Sequence, residues 1–288
     1  MSNNSYKKFE DLDLLDSFLF IESTTKQENA KFIAKVIIKR VFGWDVSDIS
    51  VDVEKPYQGL SMGSKGIRLD LQVTESENGK TIRIYDIEPN KYHQANLPKR
   101  SRYYLSLTDA KFLNSSQKFS DLPDYFSVWI LPYDPFGDGR MVYTVKNQVV
   151  ENPQLVYNEG VTRIFLYTDG EIGGNESLYT LLRFFKQTNE LNAVDSELQQ
   201  IQSIIGEIKH NKEVGERYMT LGEIIDIEKD ESYKEGYDSG YDSGYDSGLK
   251  GTISICRKLG RTNEEIVELL MAEYSLTAEV ARNLVTNN

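Results

Sequence analysis

Asp70 and Glu88 stand on neighbouring runs of alternating apolar and polar residues, which makes them the natural starting point for any chemistry in this chain. In IRLDLQVT (67–74), Ile67, Leu69, Leu71 and Val73 share one face and leave Arg68, Asp70 and Gln72 on the other. In KTIRIYDIE (80–88), Ile82, Ile84, Asp86 and Glu88 alternate with Arg83, Tyr85 and Ile87. Between the runs, Asn78-Gly79 is a strong hairpin signal. A three-residue loop at Asn78–Lys80 sets Asp70 directly opposite Glu88, whereas one at Glu77–Gly79 makes them diagonal neighbours. Either register brings two carboxylates within reach of one cation. Carboxylates without histidine or cysteine suit a hard dication, Mg²⁺ first and Mn²⁺ in its place. Such an ion lowers the pKa of a bound water and stabilises negative charge building at a phosphorus centre. The same pattern also fits acids on the solvent face of a hairpin, so spacing alone leaves both readings open.

The remaining titratable residues narrow the field. His93 and His210 are the only 2 histidines and share no motif spacing, and Cys256 is the single cysteine. A zincin, a Cys/His protease, a Ser-His-Asp hydrolase and a disulfide framework therefore lack their material. The net charge of −12 argues against a generally adhesive nucleic-acid binder. Its distribution is uneven, however. Residues 226–248 carry eight acids against Lys229 and Lys234, while 91–111 set Lys91, Lys99, Arg100, Arg102 and Lys111 against Asp109 alone. One basic face is compatible with an acidic total. No stretch approaches the roughly 18 apolar residues of a membrane span, and MSNNSYKKFEDLDLLDSF has no apolar signal region. A cytoplasmic protein without membrane association is expected.

The elements that must position Asp70 and Glu88 follow from periodicity. Residues 26–42 place Phe32, Val36, Ile37 and Val41 at helical spacing, with Gly43 as a stop. Strands are expected over Ile49–Val53, Ile67–Thr74 and Lys80–Glu88, then a helix from Pro98 to about Leu113. Phe126–Leu131 and Val161–Tyr167 read as buried strands, Met141–Val145 as a weaker one, and the chain turns helical from Ser177 to about Glu228. The order helix, three-strand meander, helix, strand predicts an α/β (α+β) core with a helical C-terminal extension. GYDSGYDSGYDSG (236–248) reads as a flexible acidic linker, the alternative being a helix with its tyrosines four apart along one face. Thr262-Asn263-Glu264-Glu265 is a capping box and Thr277 a second cap, marking 249–288 as a small helical module. The expected organisation is a core over 1–190, a helical extension over 191–235, the linker over 236–248 and the module over 249–288. Self-association through that module is one arrangement the tail allows. Trp44 and Trp129 are expected in the core, and the DPFGDGR segment (134–140) reads as a tight turn.

KGIRLDLQV (65–73), IYDIEPN (84–90) and LPKRSRYYLSLTDAKFL (97–113) together resemble the PD-(D/E)xK nuclease family transposases, relatives of the Rpn-type recombination-promoting nucleases. The similarity runs on through YDPFGDGRMVYTV (133–145), VTRIFLYTDG (161–170) and GERYMTLGEIID (215–226), and covers most of residues 10–230. It implies a restriction-endonuclease-like αβββαβ core and a Mg²⁺-dependent DNA endonuclease of bacterial recombination, mobile-element movement or defence. Asp70 matches the first acid of the motif and Glu88 the second. An acid on the first helix often completes such sites, and Glu28 fills that place, with Glu22 behind it. A helix-dipole carboxylate is the plainer role for Glu28. Asn90 stands where the family carries Lys, or in this branch Gln, and can orient water but supplies no charge. Lys99, Arg100 and Arg102 then become DNA-phosphate contacts, with Arg100 or Arg102 replacing the missing lysine, or else a solvated charged face. The alternative to an active nuclease is a degenerate nuclease fold that binds DNA or protein without cutting.

Overall fold

In the computed structural model, residues 7–287 are described except Leu60, Met62 and Asn114. The side chains of Asp226, Lys229, Asp230 and Asp238 also lie outside the described set, as do residues 1–6, on which the expectation about a signal region partly rests. The chain divides into two compact units, Met1–Met219 and Thr220–Asn288.

The first unit is mixed α/β. Its helices are α1 (Ser17–Thr24), α2 (Gln27–Phe42), α3 (Leu97–Phe112), α4 (Glu176–Lys186) and α5 (Ser196–Lys209), followed by the first turns of α6 (Lys212–Lys258). Its strands are β1 (Ile49–Tyr57), β2 (Ile67–Glu77), β3 (Lys80–Pro89), β4 (Asp124–Leu131), β5 (Val142–Val145) and β6 (Val161–Tyr167). They form one six-stranded sheet in the order β1-β2-β3-β4-β6-β5. The β1-β2-β3 meander and the β5–β6 pair are antiparallel, while β3–β4 and β4–β6 are parallel. α3 is the crossover between parallel β3 and β4, as parallel pairing requires. Between residues 27 and 131 the order is thus helix, three strands, helix, strand, as the periodicity predicts.

Alternation on the central strands sorts the core. Leu71, Val73, Tyr85, Ile87, Val128 and Ile130 face a large cluster with Ile33 and Ile37 of α2, Leu181 and Phe185 of α4 and Ile201 of α5. Trp129, Leu131 and Phe165 face the other way and meet Leu97 and Tyr104 of α3. α2 ends where its amphipathic pattern ends, at Gly43 with φ 80°, a left-handed conformation costly for any other residue. Arg40 is buried on α2 and is neutralised by Asp195 at 2.7 Å and Glu197 at 2.9 Å. In the DPFGDGR turn, Asp134 accepts the amides of Phe136, Gly137 and Gly139 and the Tyr143 hydroxyl, so this block builds its own tight turn. Trp129 is fully buried, but Trp44 is 38% exposed, contrary to expectation. It lies just beyond the α2 cap, stacked on Phe42 with its indole N–H donating to the Tyr85 hydroxyl at 3.0 Å. A polar edge with a partner at the core rim leaves the ring half outside.

The second unit consists of the rest of α6 with α7 (Asn263–Tyr274) and α8 (Ala278–Asn287). Leu249, Ile253, Ile266, Leu270, Ala281 and Val285 form its small core. The expected caps are present: Thr262 and Glu265 exchange bonds in a capping box, and Thr277 accepts the Val280 amide. Among the described residues, no helix is long and apolar enough to cross a membrane. Residues 236–248, expected as a flexible linker, are instead helical and lie within α6, and the division of the chain falls before them at Met219/Thr220. Helix nucleation is the expensive step, and it is already met where Leu249 and Ile253 pack. Propagation back across each glycine then costs about 1 kcal/mol relative to alanine. Tyr241 and Tyr245, one turn apart, stack at 6.4 Å, and Tyr245 bonds the Tyr274 carbonyl. The tyrosine stripe is therefore the reading the structure follows. An added Cβ at Gly236, Gly240 or Gly244 meets nothing within 4 Å. Changing all three to Ala should therefore raise far-UV helicity and slow proteolysis of this segment, by up to about 1 kcal/mol per site. No change in either would mean that the segment is not helical in solution.

Candidate functional site

The hairpin carrying the acids reaches the required register by a route the sequence did not advertise. Glu77 pairs with Lys80 across a two-residue turn, Asn78 (φ 52°) and Gly79 (φ 75°), so neither three-residue loop is used. A bulge between Glu75 and Ser76 then shifts the pairing by one, to Glu75↔Arg83, Gln72↔Asp86 and Leu71↔Ile87. One step further along that register Asp70 lies beside Glu88, and the Asp70 amide donates to Glu88 Oε1 at 2.8 Å. The bulge keeps both carboxylates on one face of the sheet, beneath α3.

A third acid joins them. Asp86, two residues before Glu88 on the same face, is 0% exposed, and Glu88 is 2% exposed. The Tyr125 hydroxyl donates to Asp86 Oδ2 at 2.8 Å. Asp86 Oδ1, Gln72 Nε2 and Asn90 Nδ2 are buried without a hydrogen-bond partner of standard geometry. Burial pushes the Asp70 carboxyl up to about 6, against the pull of Arg100 and Arg68. Burial likewise pushes Asp86 up to about 7, although bonds with Tyr125 and Glu88 oppose it. Glu88 is driven well above the usual carboxylate range by burial and by its neighbours Asp86 and Asp70.

Arg100 is the cation of this cluster. Its Nη2 lies 4.0 Å from Glu88 Oε2, its Nε bonds the Tyr104 hydroxyl at 2.8 Å, and its Nη1 bonds Gln94 at 2.7 Å. The guanidinium also lies over the Tyr104 ring at 5.0 Å and the Trp129 ring at 5.3 Å. Such a clamp spares the entropy that a free arginine loses on engaging an anion. α3 is fixed against the sheet by Ser101, whose hydroxyl meets that of Ser127 at 3.2 Å.

The other sequence candidates fall as follows. Asn90 follows directly on β3, 9% exposed, with its backbone N–H bonded to the Ile130 carbonyl at 2.9 Å. Glu28 is exposed in the first turn of α2, and among the described residues no hydrogen bond or ion pair joins it to the three acids. α2 packs on the opposite face of the sheet from α3, so the dipole role is the one its position supports. Glu22 is paired with Arg217 at 2.7 Å. Lys99 and Arg102 are exposed on α3, and Lys91 is bonded to Asp16, outside the acid cluster. Sequence reasoning passed over Asp86, although its alternation with Glu88 was visible, and over Tyr104, one helical turn after Arg100.

Among the described residues, no group of three His, Cys, Asp or Glu side chains is arranged to hold a metal ion. The donor chemistry nevertheless fits Mg²⁺, which commonly takes one or two protein carboxylates and completes its shell with water. Asp70 and Glu88 would be such a pair, and a dication would offset the cost that burial places on their charges. Compared with protein-family models, with curated proteins and with solved structures, the chain matches none of them.

Proposed function

We propose that this chain is a metal-dependent DNA endonuclease of the PD-(D/E)xK type, with a restriction-endonuclease-like core. The observation that carries the reading is the pairing of Asp70 with Glu88 under a clamped arginine. The helix–three strands–helix–strand order and the motif blocks that contain these residues support it. Asp70 and Glu88 would hold the divalent ion, which when bound supplies an activated water and neutralises charge on a phosphodiester. Arg100 contributes a fixed positive charge facing the acids, where negative charge develops on the phosphate oxygens. Lys99 and Arg102, exposed along the same helix, serve the DNA backbone without reading sequence. Asn90 has a free buried amide donor that can orient a water or a phosphate oxygen.

One observation favours a second reading. Asn90 has neither the charge of lysine nor the reach of glutamine, the two residues the resemblance leads one to expect there, so a fold that binds DNA without cutting is the competing account. Labelled duplex DNA incubated with full-length protein separates them. Cleavage in Mg²⁺ or Mn²⁺ that stops in EDTA supports the nuclease. Retarded but intact DNA in every divalent ion supports the binding module.

A further inference from the structure

We propose that the pocket lined by Trp44, Arg83 and Tyr157 is a second binding site, which takes one unstacked nucleobase, carried either by a free mononucleotide or by an unpaired strand. The proposal does not depend on the nuclease reading.

The pocket lies on the face of the sheet opposite the acids. Neighbouring strands build one wall: Arg83 on β3 is in register with Asp124 on β4, and Phe126 of β4 with Thr162 of β6. Trp44 adds to it from just beyond the α2 cap. Glu88 is further along β3 on the other face, roughly 17 Å of strand from Arg83. A second wall comes from residues 146–160, which join β5 to β6 without regular structure and are longer than most such connections. That segment is tied down where the Tyr125 backbone N–H donates to the Gly160 carbonyl at 2.8 Å. Gly160 has φ 72°, and a Cβ there would lie 2.6 Å from Asp124 Oδ1, so only glycine lets the segment come this close to β4. The volume is about 460 Å³, within the roughly 300–1,000 Å³ of small-ligand sites.

The lining selects the ligand. Arg83 and Lys146 are offset by Asp124 and Glu159, so neither a simple anion nor a bare cation is favoured. A flat ring with polar edges is. Two flat groups are already in place. The Arg83 guanidinium lies over the Trp44 ring at 5.5 Å and is held there by Glu75 at 3.1 Å, with Phe42 stacked on Trp44 in turn. The Tyr157 ring is 55% exposed and, among the described residues, stacks on no other ring. Aromatic rings and guanidinium planes are the surfaces on which unstacked bases rest. Asn147 and Asn158 offer both donors and acceptors to the edge of a base, and the two acids accept from its amino groups.

The test uses full-length protein in EDTA, so that no strand is cut, and follows tryptophan fluorescence. Trp44 is the responsive ring, because Trp129 is fully buried. The ligands are the four ribonucleoside 5′-monophosphates, with ribose 5-phosphate as the base-free control, and a single-stranded oligonucleotide beside its abasic counterpart. The monophosphates, the oligonucleotide or both should shift the fluorescence, and the base-free controls should not. Tyr157→Ala, checked for folding by circular dichroism, should weaken binding about 5–100-fold, the usual effect of removing a stacking ring. Tyr157→Phe keeps the ring and should bind like the parent. A response to mononucleotides alone supports the site with a free nucleotide as its source, and a response to the oligonucleotide alone supports it with an unpaired strand. No response to any of these ligands, an equal response to the base-free controls, or parental affinity in Tyr157→Ala overturns the proposal.

Discussion

Asp70→Asn and Glu88→Gln are each expected to abolish divalent-dependent DNA cleavage while leaving the protein at least as stable as the parent at neutral pH. Both changes keep the shape of the side chain and remove the charge that a dication needs. A loss on the order of 10³-fold or more is expected, because the missing charge acts on the transition state. Stability should move the other way. Glu88 is buried with Asp70 and Asp86 beside it, so its charged form is disfavoured in the fold, and an amide can still accept the Asp70 amide proton. The sign with pH follows. Asp70 and Asp86 are raised to about 6 and about 7, above the roughly 4 of an unfolded carboxyl. Between those limits the folded chain retains protons that the unfolded chain has released, so the contribution of these groups to stability falls as pH rises. In EDTA, the melting-temperature advantage of Asp70→Asn over the parent should therefore widen from pH 5 to pH 8, and Mg²⁺ should narrow it at pH 8. A variant that cuts at the parental rate, or a difference that shrinks with pH, contradicts the assignment.

Arg100→Ala should lower the single-turnover cleavage rate by about 10²–10³-fold, the usual cost of removing one preorganised charge donor. Arg100 is half-buried and clamped by Gln94, Tyr104 and two aromatic rings, so it meets the acids already oriented. Arg100→Lys should recover only part of the rate, since an ammonium cannot bond Gln94 and Tyr104 in the same fork. Asn90→Lys should restore activity to Arg100→Ala, because it returns a positive charge to the end of β3. If Arg100→Ala cleaves like the parent, the positive charge comes from elsewhere. If Asn90→Lys lowers the rate in that background, the β3 end does not face the phosphate.

Much of this architecture was written in periodicity. The alternation in 67–74 and 80–88 gave the strands and the faces of Asp70 and Glu88, and β6 begins and ends where its apolar run does. What alternation could not supply was the bulge at Glu75/Ser76. Beside it Tyr85 and Arg83 both reach Glu75 Oε2, at 2.9 and 3.1 Å, contacts across strands that alternation within one strand does not encode. Asp86 was legible as a face partner of Glu88, but its burial was not, because that depends on α3 lying over the sheet. The GYDS segment misled for a similar reason. Its composition disfavours a helix locally, and the tyrosine contacts and the Leu249–Ile253 anchor that favour one act from outside the repeat.

Conversion of supercoiled plasmid in Mg²⁺, with parent and Asp70→Ala protein side by side, tests the central claim most directly. The account predicts nicked and linear DNA with the parent, none when EDTA replaces Mg²⁺, and intact supercoils with a folded Asp70→Ala at any incubation time. Equal conversion by parent and Asp70→Ala, or no conversion by the parent in either Mg²⁺ or Mn²⁺, would contradict it.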